Sequence, residues 1–562
     1  MVILGLNYAF HDSTACLVRD GELVIAIEEE RLTRDKHTAA FPQRAIDRCL
    51  REAGLDYGDI DHVAVAFDPR LDRGRKALYP FRHPRAIKGF ASHEWRTVVQ
   101  KPRYLRRWLA RTWPNASQRP RLHTVSHHMA HVAGSFFICP WEEAALLSLD
   151  GSGEWATGLI GQGRGTDIEV FRESYFPMSL GSVYEAATEF CGFQPNYDEG
   201  KTMGLAPLGD PDRFIDAARE TVWVEPDGAV RVDLDWFDFP DWGGHRYGEK
   251  FVRVFGQPRR KGEDFQQHHL DVAAAFQQVM EERGLELAGI LRRRTDHRNL
   301  VVAGGVALNS VMNGRLVREA GFDDIYVMPA AGDNGTAIGA AYWVWNRELG
   351  RPRDFVHMDP FIGNGYDDDA IRAVLAECKL PAEREDDVVG TAARLLHEGK
   401  IIGWFQGRME IGPRALGNRS ILADPTRADT KDRVNAEVKH REAYRPFAPS
   451  VPAERKGEWF ETEVEAPFML KVCDVRPEAR EQIPAVTHVD GSARLQTVRK
   501  ETNPRYHELL ERFGELSGIP VVLNTSFNIM GEPMVESPWD AIRCFYSTGL
   551  DALVLGDYVL TK

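Results

Sequence analysis

The chain lacks several things, and each absence narrows what it can be. Its 562 residues contain no run of about twenty apolar residues, which argues against a membrane span. Cysteine is sparse. The seven are scattered at positions 16, 49, 139, 191, 378, 473 and 544, an odd number with no C-x-x-C pair. That pattern fits a reduced protein without a disulfide framework. The start, Met1-Val2-Ile3-Leu4-Gly5-Leu6-Asn7, has no basic segment before an apolar run. It reads as a first strand rather than a signal peptide, so a cytoplasmic location is expected. Positive charge is in deficit: 70 Lys and Arg against 84 Asp and Glu give −14, which disfavours nucleic acid as a partner. No low-complexity segment is present. What remains is ordinary for a globular protein, 43% hydrophobic and 27% charged, but too long for a single core, so two or more domains are expected.

The most informative local feature is His127-His128-Met129-Ala130-His131. His127 and His131 are four residues apart and share one face of a helix, so they can bind one metal ion or merely lie side by side. Position 128 is not Glu, which excludes the H-E-x-x-H pattern of zinc proteases. Two distant acids lie in Gly-flanked loops of the kind that approach phosphates. They are Asp150 in Ser148-Leu149-Asp150-Gly151-Ser152-Gly153 and Asp333 in Ala331-Gly332-Asp333-Asn334-Gly335. Two imidazoles and carboxylates suit a divalent iron, manganese or zinc ion beside an anionic ligand.

Residues 2–29 read as strand, small polar loop, strand, Asp20-Gly21 turn and strand, and residues 144–172 repeat that plan. Two such hairpins suggest related subdomains facing a cleft. A third apolar strand, Asn299 to Ala303, runs into Gly304-Gly305 and a helix, with Asn309 placed to bond a ligand. Between Arg70 and Arg121 the composition turns basic, with aromatics interleaved. An amphipathic helical insertion with a solvated face is expected there; a patch for phosphate, nucleic acid or an anionic substrate is the alternative. The character changes after Trp343, and a boundary near residue 357 divides domains at 1–357 and 358–562.

The second half carries cations among small loops. Gly412-Pro413-Arg414 fixes Arg414 in a turn, Lys439, Arg441 and Arg445 fall within seven residues, and Arg494 follows. The apolar strand Val521-Val522-Leu523 ends in Asn524-Thr525-Ser526. Singly, each cation could be a solvated charge; together they suit a polyanionic phosphate ligand. Two phosphate-handling regions, one with a metal, suggest a two-step enzyme.

These residues resemble the O-carbamoyltransferases of the NodU/CmcH/TobZ type over essentially the whole chain. The resemblance is carried by Gly5-Leu6-Asn7 with Phe10-His11-Asp12, Glu28-Glu29-Glu30-Arg31, Lys36-His37, the histidine pair, Leu149-Asp150-Gly151 and Glu199-Gly200-Lys201. It continues through Gly304-Gly305, Gly332-Asp333-Asn334-Gly335, Gly412-Pro413-Arg414-Ala415-Leu416-Gly417, Arg445-Pro446-Phe447, Ala493-Arg494-x-Gln496 and Asn524-Thr525-Ser526-Phe527-Asn528. It implies an α/β and α+β chain. The first domain would have the two-subdomain actin/Hsp70-like (TsaD-type) ATPase fold, and the second a YrdC-like α+β fold. It implies that the second domain makes carbamoyl-AMP from carbamoyl phosphate and ATP with Mg2+. The first would then transfer the carbamoyl group to a hydroxyl of a small-molecule natural product. A tRNA carbamoyl or threonylcarbamoyl transferase is the alternative. It further implies His127, His131, Asp150 and Asp333 as ligands of iron(II) or another divalent metal, and His11 as the acceptor of the hydroxyl proton. Lys36 would contact carbamoyl-adenylate. Gly181, Gly305 and Asn309 would line the first nucleotide cleft, and Arg414, Arg445, Arg494, Asn524 and Ser526 the second, with Lys439 and Arg441 added on charge grounds. The Tyr8-Ala9 loop is short, and the basic insertion can reshape the acceptor pocket, so the acceptor is not inherited from a relative. A monomer or a homodimer is expected.

Overall fold

Hydrophobic patterning produces sheets whose central strands are buried on both faces. The computed structural model describes every residue except Ala9, Gly243 and Ala382, so the Tyr8-Ala9 loop falls partly outside the described residues. The chain forms two units: Met1–Val24 with Ala39–His357, and Ile25–Thr38 with Met358–Lys562. Together they make a mixed α/β fold.

Unit 1 contains one pattern twice. Strands β1 (Val2–Asn7), β2 (Thr14–Arg19), β3 (Glu22–Glu28, of which unit 1 holds Glu22–Val24), β4 (His62–Val65) and β5 (Arg121–Thr124) form a sheet in the order β3-β2-β1-β4-β5. Strands β6 (Glu143–Leu149), β7 (Ala156–Arg164) and β8 (Asp167–Tyr175) come next. After the small hairpin β9 (Val222–Val224) and β10 (Val230–Val232), β11 (Asn299–Ala303) and β12 (Asp324–Val327) complete a second sheet, ordered β12-β11-β6-β7-β8. In each sheet the first strand pairs antiparallel with its hairpin partner and parallel with the strand that returns after helices. The order and the orientations therefore coincide. β1 is buried throughout and β6 beyond Glu143, because helices cover both faces of each sheet.

A helix leaves the last strand of each copy. His127–Phe136 follows β5, and Thr336–Tyr342 follows β12 after the Asp333–Gly335 turn. The two cross at Gly134 and Gly339. A Cβ on Gly339 would lie 1.7 Å from the Ala130 carbonyl oxygen, so only glycine permits the approach. The crossing fixes the start of one helix against the start of the other. The basic segment is helical, with Arg73–Arg82, Ile87–Glu94 and Lys101–Thr112. Tyr79, Trp108 and Trp113 pack inward, whereas Phe81, Trp95 and Tyr104 are exposed, so the aromatics of this segment divide between core and surface.

Unit 2 is built on a seven-stranded mixed sheet. Its strands are β13 (Ile402–Phe405), β14 (Arg419–Ala423), β15 (Ala448–Pro452), β19 (Gln496–Val498), β20 (Val522–Ser526), β21 (Ala552–Leu555) and β22 (Tyr558–Thr561). The order is β19-β15-β20-β14-β13-β21-β22. Strands β16 (Phe460–Glu461), β17 (Val472–Val475) and β18 (Ser492–Arg494) form a three-stranded sheet beside it in sequence. Alternation with period two divides the core. Ile402, Trp404, Leu422, Val522 and Val554 pack under helices Val388–His397 and Pro504–Ser517. Phe405, Ile421, Leu523 and Leu553 pack with Ile371, Ala541 and Phe545 from helices Asp368–Glu377 and Pro538–Tyr546. Each such leucine or phenylalanine contributes about 1.5–3 kcal/mol by leaving water. The seven cysteines are free thiols. Among the described residues no helix is long and apolar enough to cross a membrane.

Candidate functional site

The helix crossing in unit 1 brings four distant side chains to one point. Ser126 caps the His127–Phe136 helix, its hydroxyl accepting from the Met129 N–H. The buried Glu154 carboxylate accepts from the His127 N–H at 3.1 Å and the Asp68 N–H at 2.8 Å. So anchored, His127 Nε2 lies 3.0 Å from Asp150 Oδ2, 3.3 Å from Asp333 Oδ1 and 3.0 Å from His131 Nε2. His131 Nε2 lies 3.4 Å from Asp150 Oδ2 and 3.5 Å from Asp333 Oδ1. His128 is turned away. Its Nδ1 meets Ser148 Oγ at 3.1 Å, and burial pushes its pKa down to about 3.

Burial disfavours charge on His127, but Asp333 and Asp150 outweigh it and hold its pKa well above the ordinary value. Burial likewise opposes ionisation of Asp150, and the two imidazoles overcome it. The set thus attracts a positive charge to its centre. Donor atoms about 2.1 Å from one ion stand about 3.0–3.4 Å apart across octahedral or tetrahedral edges. The observed 3.0–3.5 Å separations fit that requirement, and the two-imidazole, two-carboxylate set suits divalent iron, manganese or zinc.

Around this cluster the remaining expected residues divide. Gly305 donates its N–H to Asp150 Oδ1 at 3.0 Å, bracing that carboxylate. Gly181 lies in the first turn of helix Leu180–Phe190, so close that a Cβ would come 2.6 Å from the Asp150 carbonyl oxygen. Asn309 does not join them. Its Oδ1 caps helix Ser310–Glu319 by accepting from the Met312 N–H, and its amide pairs with Gln277. His11 is half-exposed, with Nδ1 2.9 Å from Asp12 Oδ2 and Nε2 3.8 Å from Asp333 Oδ2. Burial resists its protonation, yet Asp333 and Asp12 together push its pKa up to about 10. Phe10 lies edge-on to His127, ring centres 5.2 Å apart.

Unit 2 assembles charges of one sign. Arg414, Arg441, Arg445 and Arg494 repel one another, and Lys439 is affected by Arg441 and Arg445. Burial first, then Arg445, pushes Arg414 down to about 10 and Arg441 down to about 9. Guanidinium keeps its proton at neutral pH, so the cluster holds buried positive charge, disfavoured first by burial and then by its like-charged neighbours. Among the described residues the guanidinium groups of Arg414 and Arg494 have no protein partner, and the Nε of each is buried. Arg441 bonds Asn435 Oδ1 at 2.8 Å and lies over the Phe447 ring; Arg445 reaches only the edge of Glu442, at 4.0 Å.

The Arg414 loop is held from two sides. Glu410 Oε1 accepts from the N–H groups of Leu416, Asn418 and Arg419. Glu28 Oε1 accepts from the Gly412 N–H at 3.1 Å, and Arg31 donates to the Gly412 carbonyl at 2.9 Å. This explains the Glu28-Glu29-Glu30-Arg31 motif, which belongs to unit 2 despite its position in the chain. Lys36, in the same segment, is exposed and its charge is felt at Lys439; His11 belongs to the other unit. Lys439 differs from the arginines. Its ammonium donates to the Ser526 carbonyl, to Ser526 Oγ at 3.1 Å and to Asn528 Oδ1 at 2.8 Å, so it ties the end of β20. Asn524 donates to Gln496 Oε1 at 2.9 Å, and among the described residues its buried Oδ1 has no partner.

Sequence reasoning missed Glu154, Glu410 and Lys101. The two glutamates act through backbone N–H groups brought near by tertiary structure, and no spacing marks them. Lys101 donates to the Tyr8 carbonyl; burial and Arg96 push it down to about 8 against the pull of Asp333. Its only signal was its place in the basic segment.

Comparison with known proteins gives a consistent result. Residues 2–342 match the family described as Carbamoyltransferase N-terminus, and residues 393–562 match Carbamoyltransferase C-terminus. The chain is 41% identical over 601 residues to the uncharacterized protein sll1178 of Synechocystis, covering 100% of this chain and 96% of that protein. It is 40% identical over 567 residues to the nodulation protein NolNO of Sinorhizobium fredii, covering 99% and 80%. It is 36% identical over 561 residues to the 3'-hydroxymethylcephem-O-carbamoyltransferase of Streptomyces clavuligerus, covering 97% and 96%.

Proposed function

The chain belongs to the carbamoyltransferase family, and from that premise we propose that it is an ATP-dependent O-carbamoyltransferase working in two steps. In unit 2, carbamoyl phosphate, ATP and water give carbamoyl-adenylate, pyrophosphate and phosphate. In unit 1, the oxygen of an acceptor alcohol bonds to the carbamoyl carbon, the bond to the adenylate oxygen breaks, and AMP leaves. We read unit 1 as the TsaD-type actin/Hsp70-like fold, supported by its duplicated strand order, and unit 2 as YrdC-like. The domains are then 1–357 and 358–562, with the excursion of Ile25–Thr38.

The observation that carries this reading is the arginine cluster of unit 2. ATP with Mg2+ and carbamoyl phosphate bring several negative charges together, and their approach costs energy unless cations offset the repulsion. Arg414 and Arg494, without protein partners, supply those cations with Arg441 and Arg445. Lys439 holds Ser526 and Asn528 so that Asn524 and Ser526 meet the ligand from a fixed strand end.

In unit 1, His127, His131, Asp150 and Asp333 would hold the metal, read as iron(II). Bound there it supplies Lewis acidity toward the carbamoyl carbonyl or the leaving phosphate. Gly305 orients Asp150, and Glu154 fixes the helix that carries both histidines. His11 would take the proton from the acceptor hydroxyl at Nε2 while Asp12 holds Nδ1; it can do so only as neutral imidazole, which requires that a cation held by Asp150 and Asp333 offset the carboxylates that otherwise keep it protonated. Carried over from the cephem-modifying relative, the acceptor class is a small-molecule alcohol.

The test is pyrophosphate release from ATP that depends on carbamoyl phosphate, followed by the mass gain of one carbamoyl group on a hydroxylated acceptor. A protein loaded with iron(II) that leaves ATP intact beside carbamoyl phosphate would sink the reading.

A further inference from the structure

The basic insertion forms one wall of a cleft in unit 1. The cleft has a volume of about 440 Å³; Tyr8, Phe67 and Val99 make its apolar floor, and Arg73, Arg103 and Arg106 stand on its rim. Between positions 70 and 121 there are 15 Arg and Lys and only two acids, Asp72 and Glu94. Arg70, also on the rim, is neutralised by Asp68 at 2.8 Å. Among the described residues no acid pairs with Arg73, Arg103 or Arg106, so the rim keeps uncompensated positive charge in a chain whose net charge is −14.

The cleft is tied to the metal-ligand cluster. Phe67 lies edge-on to Phe10, ring centres 5.7 Å apart, and Phe10 lies edge-on to His127 at 5.2 Å. Tyr8 stands three residues before His11 and accepts at its carbonyl from Lys101, in the first turn of the helix that carries Arg103 and Arg106. The helix that carries two rim arginines therefore also holds the Tyr8 carbonyl, at the end of the cleft nearest in sequence to Phe10 and His11. A molecule with an apolar body, an alcohol at one end and an anion at the other fits this layout: the body on the floor, the anion at the guanidinium groups, the hydroxyl toward His11.

We propose that this cleft is the acceptor subsite, and that the acceptor is an alcohol carrying a carboxylate, sulfate or phosphate group on an apolar skeleton. The proposal rests on the carbamoyl-transfer reading. Guanidinium groups favour such anions through charge-assisted, often bidentate bonds, and a partly apolar floor strengthens them.

The experiment measures binding of para-hydroxymethylbenzoate and of its carboxamide to the full chain, with sodium sulfate as competitor. The carboxylate should bind roughly fivefold tighter than the amide, or more, and sulfate should displace it. Arg103→Ala with Arg106→Ala should remove that preference, and the paired Lys replacements should keep most of it. Val99→Trp, which fills the floor, should weaken both probes alike. Equal affinity for the two probes, or a preference that survives the double Ala variant, overturns the proposal. Pyrophosphate release is followed in the same samples and should be unchanged in every variant. Its absence from the native protein would count against carbamoyl transfer itself, whatever the probes do.

Discussion

The two clusters are built on opposite electrostatic plans. In unit 1 two imidazoles face two carboxylates, and each sign stabilises the other. In unit 2 four guanidinium groups face one another and are held together against repulsion by a scaffold of Glu410, Glu28 and Arg31 around the Arg414 loop. The first arrangement closes around a cation and the second around an anion. The difference teaches that stability and function are coupled differently in each. Removing a unit 1 ligand breaks a satisfied pair, whereas removing a unit 2 arginine relieves strain in the ligand-free protein.

The largest effect should come from separating the two half-reactions. Arg414→Ala is expected to lower pyrophosphate release about 100-fold or more, by removing charge where charge develops, while transfer from supplied carbamoyl-adenylate continues. Loss of both activities would merge the two sites into one. The converse is His131→Ala or removal of metal by a chelator: transfer should fall about 10- to 100-fold, metal content should fall with it, and pyrophosphate release should persist.

Next in size is a contrast inside the cationic cluster. Lys439→Met leaves the acceptors of Ser526 and Asn528 unpaired in a buried site, so it should cost about 2–3 kcal/mol in denaturant unfolding. Arg494→Met removes a cation that has no protein partner among the described residues, so it should leave stability unchanged or raise it by up to about 1 kcal/mol. If both destabilise equally, Arg494 is structural and the repulsion argument is wrong.

Much of this was legible in the chain because it is local. The His127–His131 spacing, the Gly-flanked loops of Asp150 and Asp333 and the turn at Gly412-Pro413-Arg414 all stand where periodicity and glycine placed them. What could not be read depends on distance in the chain. The transfer of Ile25–Thr38 to unit 2 is decided by the Glu28 and Arg31 contacts to Gly412, more than 380 residues away. Lys439 read as one more ligand cation, because composition does not show that four oxygens already surround its ammonium. Asn309 read as a ligand group for the same reason. Only the fold shows that Gln277 and the Ser310–Glu319 helix occupy its amide.

The smallest expected effect tests the sign of the comparison through histidine. In unit 1 acids raise the pKa of His127; in unit 2 burial and then Arg494 act against protonation of His488, which is pushed down to about 4 despite Asp490. His488 Nδ1 meets Ser492 Oγ at 3.1 Å, and its Nε2 is buried. A histidine with a depressed folded pKa costs nothing above its unfolded value of about 6.5. As pH falls below that, the unfolded chain takes up a proton that the folded chain refuses, so stability is lost down to the folded pKa. Between pH 6.5 and 5 the loss should be about 1–2 kcal/mol. His488→Asn should flatten unfolding stability over that window and leave it unchanged at pH 8. A bound polyanion screens Arg494 and eases protonation of His488, so saturating phosphate should shrink the native protein's acid sensitivity as well. An acid response that neither His488→Asn nor phosphate alters would place the sensitivity elsewhere and remove His488 from the electrostatic field of the arginine cluster.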